Sequence, residues 1–156
     1  MIVPSRTKEQ QTAVLTYMAT KMGCTPFDIV GNMPFEAWGI VRGDKLLGAC
    51  VFSNKRPTSI SLAWAGEPGW LTAATVRAIW AYPFLQLGLL TVTSVIHPAN
   101  TRSIDVVERM GCKRVGVIPH IFGHGTPGYL YCMDRDDCRW IKPKGESNVE
   151  QRAVAA

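Results

Sequence analysis

The chain has 156 residues, 47% of them hydrophobic, which suffices for one globular domain whose core needs neither disulfides nor metal. The 17 Lys and Arg residues against 12 Asp and Glu residues give a net charge of +5 at pH 7. The basic residues form no run of five, so the composition argues against a nucleic-acid-binding protein, while a small anionic ligand suits the charge.

Cysteine usage and the N-terminus bear on the compartment. The five cysteines, at positions 24, 50, 112, 132 and 138, are an odd set without a C-x-x-C pair. Three of them lie in apolar runs, which is typical of small buried residues in a reducing compartment. Residues 1–11 lack the apolar core of a signal peptide, and no stretch approaches 18 apolar residues. We therefore expect a soluble cytoplasmic protein without a membrane partner.

The first predicted element is a helix. Residues 7–10 (TKEQ) fit a capping box, and Gly23 marks the end of the helix. Four apolar residues share one helical face: Val14, Leu15, Met18 and Met22. Residues 25–35 contain two prolines and a glycine, which predicts irregular chain or a broken second helix.

Three strands in an antiparallel meander are predicted next. Residues 37–41 and 46–52 flank a turn over 42–45, which is the pattern of a β-hairpin. The third strand covers 59–64 and alternates with period two, so that Ile60, Leu62 and Trp64 share a face.

Helices and strands alternate in the second half of the chain. A helix is predicted from about Trp70 towards Leu87, with a kink or an early end near Tyr82 because Pro83 follows. Strands at 90–96, 113–118 and 129–133 accompany a helix that opens at Asn100. Strands that are linked through helices tend to run parallel, with right-handed crossovers, whereas the first three strands are antiparallel. The predicted fold class is therefore a mixed α/β sheet. The domain is expected to span 1–141, with a disordered polar tail over 142–156.

The helix that opens at Asn100 lies within the stretch HPANTRSIDVVERMGCKRVG at 97–116. Asn100 can cap the helix, Asp105 and Arg109 form an i,i+4 pair, and Gly111 supplies the left-handed turn at its end. Apolar side chains on the inner face are Ile104, Val107 and Met110. Capping alone explains Asn100 and Ser103 as well as contact with a ligand does.

The pattern N-x-x-S-x-x-V-x-E-x-M-G-C-x-x-x-G-V, read from Asn100 to Val117, resembles the acetyl-CoA-binding core of the GNAT superfamily of N-acetyltransferases. Upstream, AIWAYPFLQLGLLTVTSVIHPAN is similar to the preceding segment of members that act on ribosomal proteins. Downstream, GYLYCMDRDDCRW resembles the last strand. The likeness runs from about Val41 to Trp140. The W-L-T helix start is most similar to members carried by tailed bacteriophages, which implies a host cytoplasm.

This resemblance implies a cofactor site for acetyl-CoA as co-substrate. In the family, the strand here at 59–65 splays from the strand at 90–96, and the pantetheine arm lies in the gap. Leu62 and Trp64 would contact this arm, and a backbone amide near Trp64 would polarise the thioester. The pyrophosphate would lie on the amides that open the central helix. By position these belong to Leu71, Thr72, Ala73 and Ala74.

The implied reaction is direct attack of a primary amine on the acetyl carbonyl. Asn100 and Ser103 would orient the pantetheine or a water that carries a proton, and Glu67 would take a proton from the incoming amine. The chain departs from the family pattern twice. GEPGWLTAATV lacks the usual pyrophosphate-loop glycines, and Val107 stands where many members carry a tyrosine. The alternative is therefore a catalytically degenerate binding or structural protein on this fold, such as a phage accessory protein.

Two further features bear on metal and partner binding. His120 and His124 lie near Cys132 and Cys138 in sequence, but the intervening glycines and proline argue against a zinc site, so no metal is expected. We predict instead a loop over 118–128 that forms a lip over the acceptor site, for a small-molecule or protein amine. An exposed last strand would allow a homodimer.

Overall fold

Seven strands form one sheet in the computed structural model, which describes residues 1–143. The strands are β1 (Ile2–Pro4), β2 (Phe35–Arg42), β3 (Lys45–Ser53), β4 (Ser59–Gly66), β5 (Thr91–Ile96), β6 (Lys113–Ile118) and β7 (Gly128–Asp134). Their order across the sheet is β1-β2-β3-β4-β5-β7-β6, and only β4 and β5 run parallel to each other. The predicted mixed α/β sheet is confirmed.

The helices are α1 (Lys8–Met22), α2 (Pro26–Val30), α3 (Ala73–Ala81) and α4 (Thr101–Met110), with a π-helical turn at Tyr82–Gln86 and a 3₁₀ turn at Arg139–Ile141. Side chains alternate across β4, so the two faces of the sheet have different cores. Ile60 and Leu62 point into the larger core with α3 and α4. Ala63 and Ala65 point to the other face and pack against a smaller core under α1.

The N-terminal helix agrees with the sequence except at its last turn. Thr7 and Gln10 form the predicted capping box, and Gly23 has the left-handed backbone with φ of 69°. Met22 does not pack with the other apolar residues, since it is 44% exposed, and Ala19 is buried in its place. The broken second helix is present as α2, with its own capping box between Thr25 and Asp28. Strand β1 was not predicted, because three residues carry no measurable periodicity.

The central helix begins later than predicted. The sequence places its start near Trp70, but α3 begins at Ala73 with Thr72 as N-cap. The predicted break near Tyr82 is confirmed: α3 ends at Ala81, and Leu87 donates its amide to the Tyr82 carbonyl five residues earlier. Pro83 has no amide to continue the α-helical ladder, so the chain takes the wider turn.

The last strand lies inside the sheet, which corrects the prediction of an exposed edge. Strand β7 pairs with β5 on one side and with β6 on the other. The sheet edge at this end is β6, whose Val115 and Val117 are more than half exposed. A homodimer through β7 is therefore wrong, because its backbone groups are already paired. Of the tail predicted over 142–156, residues 144–156 lie outside the described residues.

Candidate functional site

The two parallel strands part from each other halfway along the sheet. β4 and β5 pair only at Ser59 with Thr91, Ile60 with Val92 and Ser61 with Thr93. Beyond that point β4 continues to Gly66 beside β3, while β5 continues beside β7. A gap therefore opens between their carboxyl ends, as the sequence predicted from the resemblance.

Backbone groups of β4 face this gap in an alternating pattern. Glu67 donates its amide to the Leu47 carbonyl of β3, so the odd-numbered residues before it bond to β3 and the even-numbered ones face β5. The Trp64 peptide groups thus point into the gap, as expected for a residue that pairs with an extended ligand. The Leu62 carbonyl points the same way, but it already accepts from the Ser94 hydroxyl at 2.7 Å.

A turn and a buried indole form the link between β4 and α3. Gly69 has φ of +82° and the Trp70 amide donates to the Glu67 carbonyl, which is the geometry of a type II turn with Pro68 and Gly69 at its centre. The Trp70 side chain is 6% exposed and packs on the sheet. A Cβ atom added at Gly48 or at Gly66 would lie 2.3 Å or 2.6 Å from its ring. These glycines leave room for an indole, not for a phosphate.

The amides at the start of α3 differ from the predicted set. Leu71 precedes the helix and packs against the larger core, and the Thr72 hydroxyl accepts from the Thr75 amide at 3.2 Å. Thr72 therefore caps the helix itself. Ala73 and Ala74 open the first turn and are exposed, so their amides meet solvent at the positive end of the helix dipole. Of the four predicted residues, these two remain suited to bind an anion.

The link between β5 and α4 has the predicted construction. The Asn100 side-chain oxygen accepts from the Ser103 amide at 3.1 Å, and Gly111 has φ of 103° at the other end of the helix. The Ser103 side chain is half-buried at the first turn. Because β4 and β5 are parallel, α3 and α4 both begin at the same end of the sheet, on either side of the gap.

The residue at the missing tyrosine's position and the two tyrosines of β7 are held by contacts within the protein. Val107 is fully buried in the larger core. Tyr131 is 1% exposed and donates its hydroxyl to the Glu108 carboxylate at 2.9 Å, and burial raises its pKa. Arg114 covers the Tyr129 ring at 4.4 Å.

Glu67 lies on the opposite face of the sheet from Ser103. It follows β4 on the side of α1, where its carboxylate forms an ion pair with Lys21. The hydrogen bond that Lys21 donates to Glu67 raises the pKa of the Lys21 ammonium. Tyr17, one helical turn before Lys21, places its ring 5.9 Å from the Lys21 nitrogen. We call Tyr17, Lys21 and Glu67 the α1-side cluster.

The β6–β7 loop faces this cluster across the gap. Ser61 and Thr93 share a side-chain hydrogen bond at 3.3 Å, so the odd-numbered residues of β5 also face the α1 side, Val95 among them. The space above Gly128 is closed by Val95, Ile121 and Phe122. Phe122 and His97 rings lie 5.3 Å apart. The predicted lip is therefore an apolar wall, opposite the charged α1-side cluster.

The two other histidines have structural roles. His120 accepts the Gly125 amide on Nδ1 at 2.7 Å, and its ring stacks on His124 at 5.3 Å. Within residues 1–143, no group of three or more His, Cys, Asp or Glu side chains is placed to hold a metal ion. No helix in the same range is long and apolar enough to cross a membrane.

Three residues near these elements were missed in the sequence: Tyr17 and Lys21 of the α1-side cluster, and Ser94, whose hydroxyl reaches the Leu62 carbonyl. Tyr17 and Lys21 belong to a helix far from the motif in sequence, and their spacing of four is ordinary for any helix. Ser94 sits in an alternating strand, where a polar residue is expected at every second position. Nothing local distinguishes these residues, because their role arises only when α1 lies on β4.

A mixed sheet that parts between β4 and β5, with helices on both faces, is the GNAT type of acyltransferase fold. The family model described as an acetyltransferase (GNAT) domain matches residues 4–113, which is more than half of the chain. The chain therefore belongs to the GNAT acetyltransferase family.

Solved structures resemble it at low sequence identity. A ribosomal-protein-S5-alanine acetyltransferase from Vibrio fischeri is 18% identical, with a TM-score of 0.56 over 70% of this chain and 64% of that one. RimJ from Mycobacterium smegmatis, solved with CoA-disulfide, is 13% identical, with a TM-score of 0.55 over 65% and 54%. A chimeric spermidine N-acetyltransferase from Vibrio cholerae is 13% identical, with a TM-score of 0.58 over 69% and 70%.

The chain spans between about half and two thirds of the length of several of these neighbours. For an acetyltransferase from Bacillus anthracis the covered share is 66%. A search of curated protein sequences found no match. These identities are all below a quarter, so the neighbours establish the fold.

Proposed function

We propose that the protein transfers an acetyl group from acetyl-CoA to a primary amine. The observation that carries this proposal is the gap between β4 and β5, which opens at the same end of the sheet as the exposed start of α3. An extended pantetheine arm can pair with the Trp64 backbone in the gap, as an added strand pairs with a sheet edge. The pyrophosphate then meets the amides of Ala73 and Ala74 and the positive end of the helix dipole.

On the cofactor side, the chain's own groups orient the thioester. A backbone amide near Trp64 polarises the carbonyl oxygen, and Ser103 at the start of α4 holds the arm or a water beside the sulfur. The Asn100 side chain acts indirectly, because its oxygen is engaged with the Ser103 amide and so keeps the first turn of α4 in place.

On the α1 side, the amine approaches between the α1-side cluster and the lip. Glu67 takes the proton that the amine nitrogen loses as the carbon–nitrogen bond forms. Its ion pair with Lys21 holds the carboxylate in position at the end of β4. The acceptor is a small-molecule or protein amine, and the exposed Ile121 and Phe122 favour one with an apolar group beside the nitrogen. Cytoplasmic location, a homodimer and a phage origin stay predictions.

A second function is favoured by the β4–α3 link. Trp70 fills the space above two glycines, and the Thr72 hydroxyl already accepts a hydrogen bond as the cap of α3. If this link no longer admits a pyrophosphate, the chain is a binding or structural protein on the same fold. Binding of acetyl-CoA separates the two functions.

A thermal-shift titration with acetyl-CoA tests the cofactor site. A specific site filled to about 100 times its dissociation constant stabilises the fold by roughly 2.7 kcal/mol, and desulfo-CoA serves as a ligand without the reacting atom. We expect both to raise the melting temperature. An unchanged melting temperature at millimolar acetyl-CoA would contradict the enzyme and favour the binding protein.

Turnover is then measured as thiol release from acetyl-CoA with a panel of amines. The panel contains spermidine and a peptide that begins with alanine, which represent the acceptor types named for the structural neighbours. We expect Ser103→Ala to lower kcat without loss of acetyl-CoA binding. An unchanged kcat would remove Ser103 from the reaction.

A further inference from the structure

His97 directly follows β5, at the end of the sheet where the gap opens. Ser61 of β4 pairs with Thr93 of β5. Equal steps along these two parallel strands lead to Ala65 and to His97, so the two residues lie at the same level on either side of the gap. Trp64, whose amide is proposed to polarise the thioester, immediately precedes Ala65. His97 therefore lies at the level of the proposed reaction.

The imidazole of His97 lies on the α1 side of the sheet. Its ring centroid is 5.3 Å from that of Phe122, which belongs to the lip. Phe122 and Val95 together close the space above Gly128 on that side, whereas Ile96 is buried in the larger core on the other face. The amine is proposed to approach between the α1-side cluster and the lip, so His97 is on the amine's side of the gap.

Two hydrogen bonds fix the orientation of this histidine. The His97 Nδ1 atom accepts from the Ala99 amide at 3.0 Å, and the His97 carbonyl accepts from the Asn100 amide at 2.9 Å. Pro98 between them has no amide of its own. Because Nδ1 accepts a hydrogen bond, the proton of the neutral ring lies on Nε2. The half-buried ring thus presents an N–H donor.

The donor and the charges on the α1 side restrict the amine. In the part of the chain that the structure describes, the Nε2–H of His97 donates to no protein group, so it suits a ligand oxygen. The carboxylate of Glu67 is paired with the Lys21 ammonium, so the α1-side cluster offers no net negative charge to a second ammonium group. An amine with a neutral oxygen acceptor close by fits this side better than a polyamine does.

We propose that His97 selects amines whose neighbouring carbon carries a carbonyl group, as in amino acid amides and at peptide N-termini. The Nε2–H donates to this carbonyl oxygen, the nitrogen lies towards Glu67, and the apolar side chain of the acceptor lies against Ile121 and Phe122. His97 is a specificity residue, since it forms no covalent bond and exchanges no proton in the transfer. This inference rests on the proposed function and narrows its acceptor.

A pair of matched amines tests the hydrogen bond. Leucinamide and isoamylamine have the same apolar group and the same primary amine, but only leucinamide has the carbonyl. Their amines differ in basicity, and this difference is the same for every protein variant, so it cancels when variants are compared. The quantity measured is kcat/KM for each amine, by thiol release at saturating acetyl-CoA. A peptide that begins with leucine shows by its kcat/KM relative to leucinamide whether a protein or a small molecule supplies the carbonyl.

Two variants of His97 separate its contacts. In His97→Asn the side-chain oxygen can still accept from the Ala99 amide, as in an Asx-turn, but the ring and Nε2 are absent. In His97→Phe a ring remains beside Phe122, but both nitrogens are absent. We expect each variant to lower kcat/KM for leucinamide and for the leucine peptide about fivefold to tenfold, the typical net value of one hydrogen bond. For isoamylamine we expect a change within about twofold.

The pattern across the variants decides the proposal. A fall in His97→Phe alone would assign the effect to the bond with Ala99, and a fall in His97→Asn alone would assign it to ring packing; either result overturns the proposal. Equal falls for leucinamide and isoamylamine would also overturn it, as would a preference of the unmodified protein for spermidine over leucinamide. In these cases the proposed function stands. If acetyl-CoA binds but no amine is acetylated, the proposed function fails together with this inference.

Discussion

The two links that flank the gap differ in how they are held. The β4–α3 link is anchored by Trp70, whose indole is buried on the sheet against Gly48 and Gly66. The β5–α4 link is short and polar, and its main contact is the exposed hydrogen bond from the Ser103 amide to Asn100. One link depends on packing between distant parts of the chain, and the other depends on bonds between neighbours.

The difference explains why the β4–α3 link lacks the family's glycine pattern while the β5–α4 link keeps the Asn100 cap, although Val107 within α4 departs from the family as well. A local cap needs only residues three apart, so α4 keeps the resemblance in sequence and in geometry. The Trp70 indole fits on the sheet only because Gly48 of β3 and Gly66 of β4 leave room for it. Its burial therefore fixes the course of the whole β4–α3 link. Stability measurements on each link can confirm or break this division.

The largest effect is expected for Trp70→Ala. Truncation of a buried tryptophan leaves a cavity and typically costs about 3–5 kcal/mol, so the denaturation midpoint should fall steeply in an equilibrium urea titration. Phe27→Ala is the control, since this aromatic ring is 63% exposed and its loss should cost well under 1 kcal/mol. Equal losses in the two variants would mean that Trp70 does not anchor its link.

Gly48→Ala should have the next largest effect. The added methyl would lie 2.3 Å from a ring carbon of Trp70, and overpacking of this kind costs about 1–3 kcal/mol. Gly116→Ala is a matched strand control, because nothing lies within 4 Å of its added Cβ and its φ is not positive. Calorimetry should show a lower melting temperature for the first variant and little change for the second. A stable Gly48→Ala protein would contradict the tight fit of the indole.

The two helix caps should contribute equally to the stability of the fold, although the two links do not. Thr72→Ala and Asn100→Ala each remove an oxygen that accepts from a first-turn amide, at 3.2 Å and 3.1 Å respectively. Each is expected to cost about 1 kcal/mol, and Thr72→Ser and Asn100→Asp should restore most of it. Chemical denaturation curves measure both. A much larger loss for either residue would show that its cap is coupled to the core.

The smallest effect is expected on the outer face of α4. Asp105 and Arg109 form an i,i+4 ion pair at 3.1 Å, with side chains 56% and 79% exposed. Asp105→Ala should cost about 0.3–0.5 kcal/mol at low salt, and added salt should remove the difference. A decrease in the free energy of unfolding above about 1 kcal/mol that does not depend on salt would mean that this pair contributes to the packing of the helix. The contrast between the two links would then be weaker.

Much of the site could be predicted because its signals are local. The cap at Asn100, the turn at Gly111, the break before Pro83 and the loop over 118–128 all follow from residues close in sequence. Other features were mispredicted or missed. Met22 fits the helical pattern but is 44% exposed at the end of α1, and β7 became an inner strand because β6 pairs on its outer side.

By itself the sequence determined the order of helices and strands after β1, the mixed sheet and the resemblance to its family, since these depend on periodicity, turns and caps within short windows. Only the tertiary structure decided where Trp70 lies, which delayed the start of α3, and which side chains meet on the α1 side of the gap. Burial of the Trp70 indole and burial of the Tyr17 hydroxyl without a hydrogen-bond partner both depend on contacts between distant residues. Such contacts exist only once the sheet is closed by its helices.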